Sequence, residues 1–152
     1  MKKTFLTMCA LLVSIGAFAQ KGEQNVGASF KYKSVHKQLG LSVKYQYNVT
    51  DVIRLEASGS YYPEKDIWAK TFDANFNGHY LFPVAEKITV YPLAGINYSR
   101  WKSDEWEGEI GLNLGGGVQY QLTNKFRVGA EVKYLTLGLN SAILEAGITY
   151  TL

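Results

Sequence analysis

Ten charged residues stand at alternate positions of short stretches, and they give this sequence most of its capacity for chemistry. Six are basic and four are acidic: Lys31, Lys33, Lys44, Arg54, Arg127, Lys133, Glu56, Asp73, Glu131 and Glu145. Each occupies the polar side of an alternation whose other side is apolar. Charges of both signs in one enclosed space must pair, because an unpaired buried charge is costly. The pattern predicts an interior ion-pair network and leaves a water-filled ion path as the alternative.

Residue types suited to catalysis or metal binding are few. His36 and His79 are the two histidines, and we expect His36 in an outer connection and His79 inside, near the inner rim. At opposite ends of the molecule they could not share a metal ion, so no metal site is predicted. Ser141 has no histidine in its surroundings, although a serine nucleophile needs a base within hydrogen-bond distance. We predict no catalytic residues, no cofactor and no enzyme activity.

Eight stretches that alternate apolar and polar residues must position these charges. Their period of two is that of β-strands and not that of helices. On its apolar side each stretch carries a tyrosine near its end: Tyr32, Tyr47, Tyr61, Tyr80, Tyr98, Tyr120, Tyr134 and Tyr150. Tyrosine is enriched at membrane–water interfaces because its ring is apolar and its hydroxyl group prefers water. In antiparallel strands these residues would form two belts around an apolar band, as in transmembrane β-barrels.

The apolar sides of the eight stretches contain no charged residue, as lipid contact requires, since Lys or Arg there costs ~2–4 kcal/mol at the midplane. Connections after the second, fourth and sixth stretches are short. Two others, residues 62–70 and 99–109, are predicted as longer, aromatic outer loops. Trp101 and Trp106 lie in the second loop and are candidate contact residues, because exposed Trp can anchor a partner. The alternative is that they rest on lipopolysaccharide headgroups.

The first nineteen residues have the pattern of a cleavable signal peptide. Lys2 and Lys3 precede an apolar run over residues 5–18, and Ala17-Phe18-Ala19 supplies the small residues that a signal peptidase reads. We therefore predict a signal peptide over residues 1–19 and export of the remainder.

Residues 20–152 are predicted to form one barrel domain. Cys9, the one cysteine, lies in the leader, so the exported chain would have no thiol. Without Lys2 and Lys3 the chain has 14 basic and 13 acidic residues. No nucleic-acid partner is expected, because such a partner calls for a clustered basic face.

The end of the chain carries a further signal. Gly147, Tyr150 and Leu152 follow the spacing of the C-terminal strand signal that the outer-membrane barrel assembly machinery reads, although that signal usually ends in Phe. With the leader, the eight alternating stretches and the short inner turns, the chain resembles the small eight-stranded outer membrane β-barrel family of the OmpX and OmpA transmembrane-domain type. The resemblance covers residues 20–152.

The resemblance implies an all-β fold, an eight-stranded antiparallel up-and-down transmembrane β-barrel in the outer membrane of a Gram-negative bacterium. It implies outer-membrane lipid, lipopolysaccharide and the barrel assembly machinery as partners, with an extracellular loop partner of unknown identity. We expect a structural or surface-interaction role. Two alternatives are a small, passive, porin-like pore and a soluble, exported, lipocalin-like carrier. The carrier would have the same alternation with its apolar side facing inward.

Overall fold

The computed structural model describes residues 2–3, 22–35, 37–64, 70–102, 104–136 and 140–152. In these ranges the chain forms nine antiparallel strands: β1 (Gln24–Lys33), β2 (Gln38–Asn48), β3 (Ile53–Tyr62), β4 (Thr71–Tyr80), β5 (Phe82–Pro83), β6 (Ile88–Lys102), β7 (Trp106–Gln121), β8 (Phe126–Thr136) and β9 (Ser141–Thr151). No helix among the described residues is long and apolar enough to cross a membrane. The predicted leader and His36 lie outside the described residues, as do residues 65–69 of one predicted outer loop.

The nine strands occupy eight strand positions around a closed barrel. Strands that follow one another in the chain pair with each other, except β4 and β5; in addition, β1 pairs with β9 and β4 pairs with β6. β5 continues the line of β4, since His79 pairs with Leu93 and Phe82 with Val90 of the same strand β6. Pro92 lies opposite the break between them and has no N–H group to donate. The predicted eight-stranded up-and-down barrel is confirmed.

Side chains alternate between the two faces of this cylinder. On the outside, Phe30, Val43 and Ile110 are 61%, 68% and 72% exposed. On the inside, Lys31 and Glu56 are 2% and 0% exposed. A soluble barrel would bury its apolar side chains and expose its charges, so the lipocalin-like alternative is wrong. The apolar outer surface suits lipid contact.

One predicted loop is not a loop. The sequence placed residues 99–109 in a long outer connection, but β6 continues to Lys102 and β7 begins at Trp106, with these two residues paired. The hairpin extends four residues beyond Tyr98, or ~13 Å along the strand at about 3.3 Å per residue. Its backbone ladder continues past the apolar band. Alternation is lost there because side chains above the membrane need not contact lipid.

Candidate functional site

The interior of the barrel is organised around Glu145 on β9. Its Oε2 atom accepts a hydrogen bond from Lys133 Nζ at 2.8 Å and lies 3.7 Å from Lys31 Nζ. Its Oε1 atom accepts a hydrogen bond from Ser29 Oγ at 2.7 Å and pairs with Lys44. These partners come from β1, β2 and β8, so the Glu145 carboxylate links four strands of the barrel.

Two further carboxylates complete this central cluster. Glu56 Oε2 lies 3.5 Å from Lys44 Nζ and accepts a hydrogen bond from Gln46 Nε2 at 2.7 Å. Glu131 Oε2 lies 3.2 Å from Lys133 Nζ. Each lysine of the pair Lys44 and Lys133 therefore bridges two or more carboxylates across the lumen, and the cluster is a network of charges, as the alternating pattern predicts.

Towards the inner end, the network continues through Arg54. Its Nε atom donates to His79 Nδ1 at 3.1 Å, and its Nη1 atom donates to Gln119 Oε1 at 2.9 Å. Because arginine can only donate, His79 carries its ring hydrogen on Nε2. The His79 ring stacks on Tyr91 at 4.7 Å between centroids, and Tyr91 Oη donates to Glu131 at 2.7 Å. Aromatic rings thus join the inner group to the central cluster.

A separate group closes the outer half of the lumen. Lys33 Nζ lies 3.0 Å from Asp73 Oδ2 and 4.2 Å from the centre of the Tyr62 ring. Ser99 Oγ donates to Asp73 Oδ1 at 2.8 Å. At the inner mouth, Arg127 pairs with Glu23. Charged groups therefore occupy the lumen at several heights along its axis.

All ten charged residues predicted for the interior lie on the inside of the barrel. Eight are buried as whole residues, while Lys44 and Arg127 are partly exposed. Nine of the ten form ion pairs with opposite charges, and Arg54 binds His79 and Gln119 instead.

Sequence reasoning missed several interior residues that complete the packing. Tyr91 belongs to this group, and its position one residue before the outward-facing Pro92 places it inside by strand phase. Asn97 and Asn113 were also missed, and they form an amide cluster with Asn75 and Asn77, which the alternation of the fourth stretch places inside. The period of two could have found them, because each falls on the polar side of its strand.

Glu56, His79 and Glu131 are close enough to be considered as metal ligands. Each offers one ligand atom, and the three atoms lie within 4.8 Å of one another. On the sequence alone, His36 was the one metal-binding partner weighed for His79, and these two carboxylates were not predicted beside it. However, Lys44 Nζ lies 3.5 Å from Glu56 and 3.8 Å from Glu131. The Lys44 ammonium group therefore already pairs with both carboxylates, and the absence of a metal stays a prediction.

Little free space remains beside the central cluster. A lumen cavity of about 20 Å³ is lined by Lys44, Tyr91, Gln119 and Glu131, among other residues. Such a volume is enough for about one water molecule. The interior is therefore filled by side chains at the level of the central cluster, as expected for an eight-stranded barrel.

The eight tyrosines predicted as belts lie on the outer surface in two sets. Tyr32, Tyr61, Tyr98 and Tyr134 are near the outer ends of their strands, and Tyr47, Tyr80, Tyr120 and Tyr150 are near the inner ends. Tyr80 packs on Phe82 and Tyr150 on Phe126, with ring centroids 4.7 and 5.1 Å apart. Their interfacial role stays a prediction, supported by this placement.

The predicted assembly-signal residues lie on the strand that closes the barrel. Gly147 pairs with Ser29 of β1, and a Cβ atom at Gly147 would stand 2.5 Å from the Ala28 carbonyl oxygen. The Leu152 N–H group donates to the Gln24 carbonyl at 2.9 Å. Tyr150 faces outward in the inner belt. Recognition of these residues by the assembly machinery stays a prediction.

The two candidate contact tryptophans lie on opposite faces of the β6–β7 hairpin. Trp106 is 42% exposed and shares the outward face of Ile110. Its ring lies 6.0 Å from that of Phe72. Trp101 has the opposite phase, and its Nε1 atom donates to Glu107 Oε2 at 3.2 Å. Both residues lie in paired strands, which corrects their assignment to a loop, and their role as contact residues stays a prediction.

A closed antiparallel cylinder with a charged interior and an apolar, tyrosine-bordered exterior is the structure of an integral outer-membrane β-barrel. The chain belongs to the family described as "Outer membrane protein beta-barrel domain", whose model matches residues 5–151. It is accordingly a protein of the outer membrane of a Gram-negative bacterium. No curated protein matches the chain.

Solved structures share the fold at low sequence identity. The N-terminal β-barrel domain of Pseudomonas aeruginosa OprF is similar with a TM-score of 0.71 and 18% identity, over 87% of this chain and 98% of that one. Neisserial surface protein A gives 0.65 and 17%, over 84% and 94%. Ail, the attachment invasion locus protein of Yersinia pestis, gives 0.59 and 18%, over 88% and 100%.

Proposed function

We propose that this protein is a non-conducting, non-enzymatic barrel that presents its extended β6–β7 hairpin at the cell surface. The observation that carries this proposal is the filled interior. Ion pairs cross the lumen from Lys33 and Asp73 near the outer end to the central cluster around Glu145. A pore would need a continuous aqueous path, which these side chains obstruct.

The positions of possible catalytic groups support a non-enzymatic role. Ser141 lies at the outer end of β9, where it pairs with Leu135 of β8, and its Oγ atom donates to the adjacent Ala142 carbonyl. His79 lies in the inner half of the barrel and is held by Arg54. Nucleophile and base are thus at different levels, and a hydrolytic pair needs them within hydrogen-bond distance.

The hairpin supports a surface role. It is the longest paired extension beyond the apolar band among the described strands, and Trp106, Arg100 and Lys102 are exposed on it. Two proteins of similar fold are named for attachment and invasion and for the bacterial surface. We propose that outer-leaflet lipid is the immediate partner of this hairpin, and that the barrel assembly machinery inserts the chain.

Single-channel recording tests the closed state. Purified, refolded protein in planar bilayers should give no reproducible unitary conductance. The double substitution Arg54→Ala/Tyr91→Ala removes two large side chains from the inner lumen and should produce intermittent current steps. A mobility shift on boiling verifies that both samples are folded barrels. Regular conductance steps from the unsubstituted protein would show that it is a pore.

A further inference from the structure

The outward face of the β6–β7 hairpin becomes cationic directly beyond the outer tyrosine belt, the set that contains Tyr98. Tyr98, Arg100 and Lys102 follow one another at alternate positions of β6, and all three are exposed. At about 3.3 Å per residue, Arg100 lies ~7 Å beyond Tyr98 along the strand. The two cations therefore project on the lipid-facing side, at the height where the apolar surface ends and headgroups begin.

An aromatic series connects the cations to the belt. The rings of Tyr61 and Phe72 are 5.0 Å apart, and those of Phe72 and Trp106 are 6.0 Å apart. The Arg100 guanidinium carbon lies 5.1 Å from the centre of the Trp106 ring, and Lys102 Nζ lies 5.9 Å from it. One exposed indole thus holds two cationic groups together, in the geometry of cation–π contacts.

The charges of the hairpin are segregated between its faces. Glu107 and Glu109 have the opposite strand phase to Trp106, and Glu107 accepts the Trp101 hydrogen bond. Within the part of the chain that the structure describes, no ion pair joins Arg100 or Lys102 to a carboxylate. The backbone N–H group of Lys102 donates to the Lys70 carbonyl at 3.3 Å, so the neighbouring residue is also a lysine. The outward positions of the paired strands therefore carry no carboxylate, and Asp104 and Glu105 lie in the turn beyond them.

We propose that Arg100, Lys102 and Trp106 form a binding site for a phosphate group of an outer-leaflet glycolipid. This inference rests on the proposed function, because it requires the hairpin to lie at the outer surface of the membrane. Guanidinium binds phosphate oxygens through paired hydrogen bonds, and a lysine adds a point charge. Trp prefers the headgroup level.

The geometry favours a lipid over a soluble anion. Arg100 and Trp106 lie on the same face as Ile110, which is 72% exposed on the apolar band, so a ligand bound here would have its apolar part beside that band. A soluble phosphate would gain nothing from this neighbouring apolar surface. The site therefore fits an amphiphile that has its phosphate at the membrane surface.

Binding of a fluorescent, bisphosphorylated lipid A to the refolded full-length protein in phosphatidylcholine nanodiscs tests the proposal, with energy transfer from tryptophan as the signal. Arg100→Gln/Lys102→Gln should weaken binding about tenfold or more. Lys87→Gln/Lys125→Gln removes the same charge from the inner turns and should leave binding within about twofold. Equal losses in the two variants would overturn the site.

Two further arms identify the ligand. Dephosphorylated lipid A should bind the unsubstituted protein weakly, about as weakly as bisphosphorylated lipid A binds Arg100→Gln/Lys102→Gln. If the unsubstituted protein binds both lipids equally tightly, phosphate recognition is refuted. Inorganic phosphate at millimolar concentration should not displace the lipid, and effective displacement would reassign the site to a soluble anion. Every variant must retain the mobility shift on boiling. Conductance in bilayers with intact lipid binding would refute the closed-barrel function alone.

Discussion

At the scale of single residues, Glu145 has the greatest share of the interior charge balance. Lys133 and Lys31 come from the two strands that pair with β9, and Lys44 comes from the next strand along. Three ammonium groups therefore converge on one carboxylate that is 5% exposed. Removing one member of a buried ion pair costs about 3–5 kcal/mol, because the remaining charge is left without compensation.

Glu145→Gln should lower the free energy of unfolding by about 3 kcal/mol or more. The amide keeps the shape and removes the negative charge. Urea unfolding of the refolded barrel in lipid vesicles, followed by the mobility shift on boiling, measures the change. Glu86→Gln in an exposed inner turn is the control and should stay within about 0.5 kcal/mol. If the two variants unfold at the same urea concentration, the central cluster does not stabilise the barrel.

At the scale of strands, β7 makes room for the cluster. Gly117 faces large side chains of neighbouring strands, and a Cβ atom there would lie 2.6 Å from Tyr91 Oη and 2.7 Å from Glu131 Cγ. A Cβ atom at Gly115 would overlap the Val132 carbonyl oxygen. The glycines of this strand thus permit both the interior hydrogen bond and the close approach of β8.

Gly115→Ala should reduce the yield of folded barrel at least several-fold, because its methyl group would meet backbone atoms that cannot rotate away. Gly59→Ala is the matched control, since a Cβ atom there meets nothing within 4 Å on the lipid-facing side. Refolding into detergent micelles, with the heat-shifted fraction measured on gels, compares the two. Equal yields would mean that β7 can move away from β8 at little cost.

The strands themselves were predictable from sequence because lipid imposes a strict rule on alternate residues. Phe30, Leu41 and Ile96 follow the period of two, and all three lie on the outside. The outer hairpin was not predictable by this rule, because above the membrane Arg100 and Lys102 replace apolar residues on the same face. Only the phase of Trp106 relative to Ile110 carried the signal, and it required knowing that the pairing continues.

The interior partners were less predictable than the strands. Alternation places Lys44 and Glu145 inside, but it does not give the register that brings them together. That register depends on strand pairing all round the closed sheet, such as Lys31 with Glu145 and Lys31 with Gly40. Contacts such as His79 with Arg54 across β3 and β4 follow only when this register is known.

At the scale of the whole molecule, the pairing of β1 with β9 closes the sheet. This ladder runs from Asn25 paired with Thr151 to Lys33 paired with Ile143. Without it, β1 and β9 would expose unpaired backbone N–H and C=O groups to lipid, where each unsatisfied group costs several kcal/mol.

Truncation after Asn140 removes β9 and should abolish the heat-shifted band in vesicles, because two strand edges would remain open. Removal of Leu152 alone leaves the β1–β9 ladder in place and should retain most of that band. The comparison is made by gel after refolding, with β-structure monitored by circular dichroism. A truncated chain that still resists detergent would show that the barrel can close without its eighth strand position.

The alternation of side chains also bears on how such a chain can leave the cytoplasm. Since polar residues interrupt every strand, no strand contains the ~20 consecutive apolar residues by which a helix is retained in a bilayer. The apolar outer surface of the barrel does not exist along the linear chain and forms only when neighbouring strands pair. An unfolded polypeptide of this kind can therefore pass through a translocation channel in the inner membrane and acquire its affinity for lipid at its destination.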